Sequence, residues 1–277
     1  MTDKNQMINN VTMSKLSELK NWFKKCPGAL VAFSGGVDSS LVAYLSKHFL
    51  GAKRALAVIS ASPSLKLSDL DAGKRFALGI NLPLRVIKTR ELENPDYFNN
   101  PSNRCYYCKH SLYDELQGMV SEFPDWWVLN GSNADDASDY RPGLKAAQEF
   151  KVHSPLVDCN IDKNAVRELA EFFRLDCWDK PASPCLSSRV PYGEQITFDK
   201  LRQIESAETI VQDAGFPINR VRHYGNYAQV EVPNEAIQSI KVHWELLEKK
   251  IIALGFSYVR LDTEGFISGK LNRTLGA

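Results

Sequence analysis

The segment from Ser34 to Ser40, SGGVDSS, places two glycines, three serine hydroxyls and one carboxylate within seven positions. Glycines let the backbone turn sharply and bring its N–H groups close to a phosphate. A helix that begins directly after them adds free N–H donors and the positive end of its dipole. The hydroxyls of Ser34, Ser39 and Ser40 can add hydrogen bonds, and Asp38 can hold Mg²⁺. No lysine follows in the GxxxxGK[ST] pattern, so the segment predicts a phosphate site of another kind.

Three of the six cysteines form a second group that can do chemistry. Cys105 and Cys108 stand three residues apart in a predicted helix and so fall almost on one face. Cys185 lies in a later loop that can fold over the same strand ends. Three thiolates suit a metal or cluster with one open position, whereas a four-cysteine zinc site would also need Cys177 or Cys159. A redox disulfide is a further reading, although the CYYC segment does not follow a thioredoxin-like strand.

The elements that must position these groups are readable from the apolar pattern. Continuous apolar runs, typical of strands buried on both faces, alternate with segments of helical spacing. Such alternation predicts an α/β fold with a parallel sheet and helices on both faces, and ligands bind at the carboxyl ends of its strands. Strands are predicted at 28–33, 55–60, 83–87 and 126–130, and helices at 14–25, 38–49, 66–78 and 105–120.

The pattern changes after about residue 194 and predicts a smaller α+β domain. We therefore expect a nucleotide-binding domain at 1–190 and a substrate-binding or oligomerisation domain at 191–277. In the second domain, helices are predicted at 197–213 and 234–253, a half-exposed hairpin at 219–225 and 227–233, and a last strand at 257–262.

Composition limits the class of protein. The 277 residues are 44% apolar and 24% charged, with 34 Lys and Arg against 33 Asp and Glu, which predicts a soluble globular protein. The formal charge of +1 argues against duplex DNA binding, which needs a concentrated basic excess. No run approaches the ~18 apolar residues of a membrane span. The first residues, MTDKNQMINN, lack the apolar stretch of a signal peptide, so we expect a cytoplasmic protein with reduced thiols.

The SGGVDSS segment, set between a buried strand and a helix, resembles the SGGxDS motif of the PP-loop family, whose fold is that of the adenine nucleotide alpha-hydrolases. The resemblance covers roughly residues 28–180. Members cleave ATP between the α- and β-phosphates and adenylate a carbonyl or carboxylate oxygen, and a nucleophile such as ammonia or sulfur then displaces AMP. The resemblance implies MgATP binding by Ser34, Gly35, Gly36, Asp38, Ser39, Ser40, Ser60 and Gly131.

Two more segments, PASPCLSSRVPYG at 181–193 and DDASDYRPGLKAA at 135–147, resemble the LarE family. The likeness continues in RVRHYGNYAQVEVP and GFISGKLN near the C-terminus. LarE proteins are PP-loop sulfur-inserting enzymes that help to build the nickel-pincer nucleotide, the cofactor of lactate racemase. The resemblance implies a substrate like pyridinium-3,5-biscarboxylic acid mononucleotide, whose carboxylates are adenylated in turn and converted to thiocarboxylates. It also implies a homo-oligomer, while the source of the sulfide stays open.

The cysteines separate two branches of that family. Some members carry a single cysteine in the ASxCxSSR region, surrender its sulfur and lack the CxxC pair. This chain has Cys105, Cys108 and Cys185 together, like the members that hold a 4Fe–4S cluster whose fourth iron can carry an additional sulfide. The resemblance therefore implies a cluster with these three ligands and a catalytic role for Cys185. Spacing alone fixes neither the metal nor its oxidation state.

Several charged residues fit a phosphate-bearing substrate. Arg220 and Arg222 alternate along one strand, so both point to the same face and can grip a phosphate, as the resemblance also implies. Glu231 in the partner strand can orient them, or can form a surface ion pair of little energetic value. The remaining candidates are Lys109 and Arg189, which flank the cysteines and can stabilise negative charge as catalytic residues, and Asp136 and Arg141, in the polar loop after the fourth strand.

Two other enzymes share the nucleotide chemistry. A tRNA thiolase would need a basic surface or an added RNA-binding module, which the near-neutral charge and short C-terminal domain argue against. An amide-forming ligase of the NAD-synthetase kind would leave three cysteines without a role. A nucleotide-sensing or zinc-stabilised binding protein without turnover is the alternative outside enzymes. The sequence favours an ATP-dependent sulfur transferase in which Asp38 supports adenylation.

Overall fold

The computed structural model describes residues 10–138, 142–181, 183–267, 270 and 273. They divide into two compact units: the first comprises Met1–Arg90 and Cys105–Ser183, and the second comprises Glu91–Arg104 and Pro184–Ala277. The segment between Glu91 and Arg104 thus belongs with the C-terminal part of the chain. Within the described residues no helix is both long and apolar enough to span a membrane.

The first unit is an α/β structure in which buried strands alternate with helices. Its strands are β1 (Ala29–Ala32), β2 (Ala55–Ser60), β3 (Leu84–Ile87) and β4 (Trp127–Leu129). Its helices are α1 (Asn10–Phe23), α2 (Val37–Leu50), α3 (Leu67–Gly79), α5 (Arg104–Met119), α6 (Pro142–Glu149), α7 (Pro155–Asp158) and α8 (Lys163–Phe172), with α4 (Pro95–Phe98) in the other unit. Short 3₁₀ turns cover Ala52–Arg54, Val120–Glu122 and Ala134–Ser138.

The four strands form a parallel sheet in the order β3-β2-β1-β4. Successive residues of β1 enter different apolar clusters. Val31 packs with residues of α1, α2 and α8, and Leu30 packs with residues of α5 and α6. The sheet is therefore covered on both faces, as its continuous apolar strands predict, and the α/β prediction is confirmed.

The second unit is smaller. It contains α9 (Phe198–Asp213), β5 (Arg220–Tyr224), β6 (Tyr227–Glu231), α10 (Ile237–Val242), α11 (Trp244–Ile252) and β7 (Tyr258–Leu261), with 3₁₀ turns at Glu91–Glu93, Leu186–Arg189 and Asn234–Ala236. β5 and β6 pair antiparallel, β6 and β7 pair parallel, and the order is β5-β6-β7. The smaller sheet region agrees with the predicted α+β architecture.

Two details differ from the prediction. The helix predicted at 234–253 is divided at His243, which separates α10 from α11. The hairpin was expected to be half-exposed, yet Arg220, Val221, Arg222 and His223 are all buried. The reason is that both arginines pack within the protein, as described below, and do not face solvent.

Candidate active site

The loop between β1 and α2 has the form expected of a phosphate site. Gly35 adopts a φ of 74°, a left-handed conformation that glycine tolerates without a steric penalty. Gly36 is the N-cap of α2, and no side chain caps this end of the helix. The first N–H groups of α2 have no partner within the helix, so they and the helix dipole can receive an anion.

Hydroxyl contacts hold this loop in shape. Ser34 Oγ and Ser39 Oγ lie 3.0 Å apart, and Ser39 Oγ donates to Gly36 O at 3.1 Å. Ser39 Oγ also accepts from Ser34 N at 3.2 Å. Both hydroxyls therefore stabilise the turn in addition to lining the cavity beside it.

Asp38, in the first turn of α2, is held from two sides. Its Oδ1 accepts a hydrogen bond from Asn133 Nδ2 at 3.0 Å, and its Oδ2 pairs with Lys163 Nζ at 2.5 Å. Lys163 is the first residue of α8, and its backbone N–H donates to Asp135 Oδ2 at 2.9 Å. A carboxylate predicted to hold Mg²⁺ is thus paired with an ammonium group, and a metal ion would have to share or displace that group.

Gly131, two residues after β4, touches the backbone of the loop. A Cβ at this position would lie 2.6 Å from Ser39 N and 2.7 Å from Ser39 Cα. Real Cβ atoms do not approach backbone atoms so closely, so glycine is needed for β4 to meet α2 here. The residue predicted to frame adenosine has a packing role that its sequence context did not reveal.

A cavity of about 440 Å³ lies at the carboxyl ends of β1 and β4. This is the place where a parallel sheet changes strand order and where ligands bind in such folds. We call it the loop cavity. Of the predicted site residues, it brings together Ser34, Asp38, Ser39, Gly131, Asp136, Lys109 and Cys105. Nucleotide-loop groups and one thiol therefore line the same space.

Other predicted residues lie elsewhere. Gly35 and Ser40 line a second, larger cavity. Ser60 ends β2, and its Oγ lies 2.7 Å from Thr89 Oγ1. Asp136, which does line the loop cavity, is buried and accepts from Asn133 N at 3.1 Å, and the Asn133 side chain donates to Asp38. Arg141 lies outside the described residues.

The six cysteines differ in exposure. Cys105 and Cys185 are exposed, Cys108 and Cys177 are partly exposed, and Cys26 and Cys159 are buried. Burial raises the pKa of Cys26 and of Cys159 to about 11, and it also raises the pKa of Cys177. The two exposed cysteines both belong to the predicted metal-ligand set, and thiolates are the ligands that hold iron in iron–sulfur clusters. Among the described residues, no three His, Cys, Asp or Glu side chains form a group that could hold a metal ion.

In the second unit, Arg189 holds the chain at Cys185. Its Nη1 donates to Cys185 O at 2.9 Å and to Ser188 Oγ at 3.0 Å, and also contacts Pro184 O. Its Nε and Nη2 pair with the two carboxylate oxygens of Glu208, at 2.9 and 3.3 Å. Arg189 is 2% exposed, so its guanidinium shapes the turn that presents the exposed Cys185 thiol.

The segment before α5 supports the same turn. Tyr97 is buried, and its hydroxyl lies 2.6 Å from Ser187 Oγ. Asn100 Nδ2 donates to the carbonyl oxygens of Val190 and Pro191, at 3.2 and 2.7 Å. These contacts explain why the segment from Glu91 to Arg104 belongs to the second unit.

Arg220 and Arg222 have different surroundings. Arg222 Nε and Nη2 pair with Glu231 at 2.5 and 3.0 Å, and both side chains are buried. The Arg220 side chain is buried, its Cζ lies 4.3 Å from the centre of the Phe266 ring, and it makes no hydrogen bond or ion pair with the side chains and backbone that the structure describes. Burial, together with the neighbouring charges of Arg189 and Arg222, lowers the pKa of Arg220 to about 10. A buried guanidinium without a carboxylate partner favours an anionic ligand.

Sequence reasoning missed Lys163, Asn133 and Glu208. Lys163 stands 125 positions from Asp38, Asn133 stands 95 positions from it, and Glu208 stands 19 positions from Arg189. Lys163 follows the N-cap Asp162, whose Oδ1 accepts from Ala165 N, so its local sequence signals only the start of a helix. No sequence motif connects Asp38 with Lys163 and Asn133, or Arg189 with Glu208.

Comparison with known proteins agrees with this geometry. The family model for NAD synthase matches residues 13–94, which include the loop and α2. The chain is 44% identical over 264 residues to an uncharacterized protein of Synechocystis sp., covering 95% of this chain and 98% of that protein. It is 30% identical over 257 residues to an uncharacterized protein of Methanocaldococcus jannaschii, covering 92% of this chain and 98% of that protein.

A third relative carries a functional name. The pyridinium-3,5-bisthiocarboxylic acid mononucleotide synthase of Lactiplantibacillus plantarum is 35% identical over 245 residues, covering 88% of this chain and 89% of that enzyme. That enzyme is the LarE protein, and the NAD-synthase match marks the PP-loop domain that LarE proteins contain. With identity at this level over most of both chains, the protein described here belongs to the LarE family.

Proposed function

We propose that the protein is an ATP-dependent sulfur-inserting enzyme acting on pyridinium-3,5-biscarboxylic acid mononucleotide. The observation that supports this most is the composition of the loop cavity, in which Cys105 and Lys109 line the same space as Ser34, Asp38 and Ser39. A purely amide-forming enzyme has no use for a thiol at that position. The name of the Lactiplantibacillus plantarum relative, a bisthiocarboxylic acid mononucleotide synthase, supports the same product class.

The first step forms an acyl-adenylate. A substrate carboxylate oxygen attacks the α-phosphorus of ATP, the bond between that phosphorus and the bridging oxygen breaks, and pyrophosphate leaves. The N-terminus of α2 receives phosphate charge, and Lys163 and Lys109 supply positive charge at the loop cavity. Asp38 can share Mg²⁺ with the phosphates. Catalysis at this step is chiefly positioning and charge neutralisation.

The second step forms the thiocarboxylate. A sulfide equivalent attacks the activated acyl carbon, the bond to the AMP oxygen breaks, and AMP leaves with the electron pair. Repetition on the second carboxylate gives the dithio product. A 4Fe–4S cluster held by Cys105, Cys108 and Cys185 would supply a site from which sulfide is delivered, and the exposure of these three thiols supports that ligand set.

We also propose that Arg220 receives the substrate phosphate. Its buried, unbalanced charge supports this role, and Arg222 is less available because Glu231 already pairs with it. Lys270 is paired with Asp262 and lies 3.0 Å from Glu264, so it contributes less free positive charge. Glu231 therefore orients Arg222, while Arg220 is the group left to bind an anion.

The family resemblance further suggests self-association. Val242 on α10 and Leu246 on α11 are 83% and 57% exposed, and exposed apolar side chains on neighbouring helices favour a contact between copies. Replacing both with serine should shift sedimentation toward monomer. An unchanged sedimentation coefficient would place the contact elsewhere.

The function is tested with anaerobically prepared protein, MgATP, sulfide and the candidate mononucleotide. The proposal expects pyrophosphate, AMP and a product in which oxygen is replaced by sulfur. Cys105→Ala, Cys108→Ala and Cys185→Ala should each lose the sulfur product while retaining pyrophosphate release at least in part. Equal thiocarboxylate formation by the triple variant would reject the cysteine roles.

A further inference from the structure

A second cavity, of about 800 Å³, lies in the first unit and is larger than the loop cavity. We call it the α2–α3 cavity because those helices and the segment 173–180 line it. The proposed reaction uses none of the side chains that dominate its walls. Its volume is within the range of sites that hold nucleotide-sized ligands.

The cavity carries an excess of positive charge. Four basic side chains line it, against two acidic ones, Asp176 and Asp179. The basic residues are Lys47, Arg75, Arg174 and Lys180. The first three make no side-chain hydrogen bond or ion pair with other residues that the structure describes, which favours an anionic occupant.

Aromatic rings supply the apolar part of the walls. Tyr44 and Phe173 lie 4.7 Å apart between ring centres, and Phe76 stacks on Phe33 at 5.6 Å. Tyr44, Phe76 and Phe173 are each partly buried, so a face or edge of each ring remains accessible. Aromatic faces suit a planar ring, since offset stacking adds favourable energy beyond area burial.

A buried polar atom provides independent support. Ser40 lines the cavity and is 1% exposed, yet its Oγ has no regular hydrogen-bond partner. This hydroxyl lies close enough to the Cys177 thiol to act on the pKa of that thiol, against the larger raising effect of burial, but the two groups are not in regular hydrogen-bonding geometry. An unsatisfied buried hydroxyl is costly and is readily explained by a ligand oxygen that accepts from it.

We propose that the α2–α3 cavity binds a nucleoside phosphate, distinct from the ATP consumed at the loop cavity. The basic side chains and Ser40 would receive the phosphate, and the aromatic rings would receive the base. Lys180 connects this site to the nucleotide loop, since its Nζ contacts Gly35 O at 3.4 Å and Asp69 Oδ1 at 2.9 Å. Phosphate binding here would compete for Lys180 and so change the support of the loop.

The experiment measures how many equivalents of a fluorescent N-methylanthraniloyl derivative of ATP bind the full chain with Mg²⁺. Wild type should bind two. R75E/R174E should weaken one site at least about tenfold, because both reversed charges line the α2–α3 cavity. S34E places a carboxylate in the loop cavity and should remove the other site. K249E/K250E, the matched control, makes the same change of net charge on exposed residues of the second unit and should bind two.

Competition identifies the part of the ligand that is recognised. ATP should displace the probe from S34E more strongly than inorganic pyrophosphate does, because pyrophosphate has no base. Equal displacement would overturn the nucleoside assignment. A single site in wild type that S34E removes would overturn the α2–α3 site and leave the proposed function intact. A single site that survives S34E and is lost in R75E/R174E would support the α2–α3 site and contradict ATP use at the loop cavity.

Discussion

Lys163 Nζ lies 2.5 Å from Asp38 Oδ2, and this ion pair joins the start of α8 to the first turn of α2. The side chains are 37% and 23% exposed, so neither is fully buried, and Asp38 lines the loop cavity. With Asn133 on the other carboxylate oxygen, Asp38 is fixed in one orientation before any nucleotide binds. Lys163 therefore fixes the position of the carboxylate and places a positive charge beside the loop where phosphates are proposed to bind.

Lys163→Met should slow pyrophosphate release about 10- to 100-fold, because adenylation loses a charge that neutralises phosphate. It should also change the Mg²⁺ dependence of nucleotide binding, measured by titration calorimetry, because the ammonium no longer competes at Asp38. Lys163→Arg should retain part of the rate of pyrophosphate release and part of the normal Mg²⁺ dependence of nucleotide binding. Lys15→Met is the matched control, since Lys15 pairs with Asp162 at the same helix end at 3.2 Å. If both methionine variants behave alike, the role assigned to Lys163 is wrong.

Arg189→Met should destabilise the protein by about 3–5 kcal/mol, because Glu208 is left buried without its partner. The Cys185 turn also loses its donor, so sulfur insertion should fall while pyrophosphate release persists. R189M/E208Q separates the two effects. This double variant removes the buried carboxylate charge at position 208 and keeps an acceptor for Val221 N, so urea unfolding should show recovered stability. Full recovery of sulfur insertion in that double variant would mean that Arg189 does not position Cys185.

Gly131→Ala should cost about 1–3 kcal/mol of stability, because the added methyl group meets Ser39 backbone atoms at 2.6–2.7 Å. The displaced loop should also raise the KM for ATP more than it lowers kcat. Gly118→Ala is the control, since a Cβ at this position in the last turn of α5 would meet nothing within 4 Å. That change should leave KM as it is and stabilise the protein by about 0.5–1 kcal/mol. Equal KM values for both variants would show that the contact does not shape the nucleotide site.

The rate of alkylation should distinguish the exposed cysteines from the buried ones. At pH 8 a thiol with a pKa of about 11, as for Cys26 and Cys159, is about one-thousandth thiolate and is also sterically protected. In cluster-free protein, iodoacetamide should modify Cys105 and Cys185 about a hundredfold faster, as read by peptide mass spectrometry. Raising the pH toward 11 should reduce this difference in modification rate. The reason is that burial raises the pKa of Cys26 and Cys159, so their thiolates form in quantity only near that pH.

Reconstitution with iron and sulfide tests which cysteines are protected from alkylation by a bound cluster. Labelling of Cys105, Cys108 and Cys185 should fall together if all three are cluster ligands, while labelling of Cys177 should not change. Undiminished labelling of Cys185 would remove it from the ligand set without any reference to activity.

The sequence predicted what is local and contiguous. SGGVDSS lies between an apolar strand and a helix within a few residues, so both the loop and its contacts with phosphate follow from backbone geometry. The alternation of buried strands and helices likewise predicted the parallel sheet, because each element carries its own period.

The features that the sequence did not predict depend on contacts between residues that lie far apart in the chain. The pairs of Asp38 with Lys163 and of Tyr97 with Ser187 join residues 125 and 90 positions apart. The burial of Arg222 could not be predicted from the alternating pattern of its strand. A charged residue on one face of a strand can point into solvent or pair with a buried carboxylate such as Glu231, and the pattern is the same in both cases. Ser40 had the sequence position of a phosphate ligand, but its side chain lines the other cavity.

Sulfur insertion is tested most directly by the product of a single anaerobic incubation. Reconstituted protein is mixed with MgATP, sulfide and pyridinium-3,5-biscarboxylic acid mononucleotide, and pyrophosphate and the mononucleotide are measured together by phosphate assay and mass spectrometry. We expect one pyrophosphate for each oxygen replaced by sulfur. Pyrophosphate release with an unchanged mononucleotide, or an amide product when ammonia replaces sulfide, would contradict it.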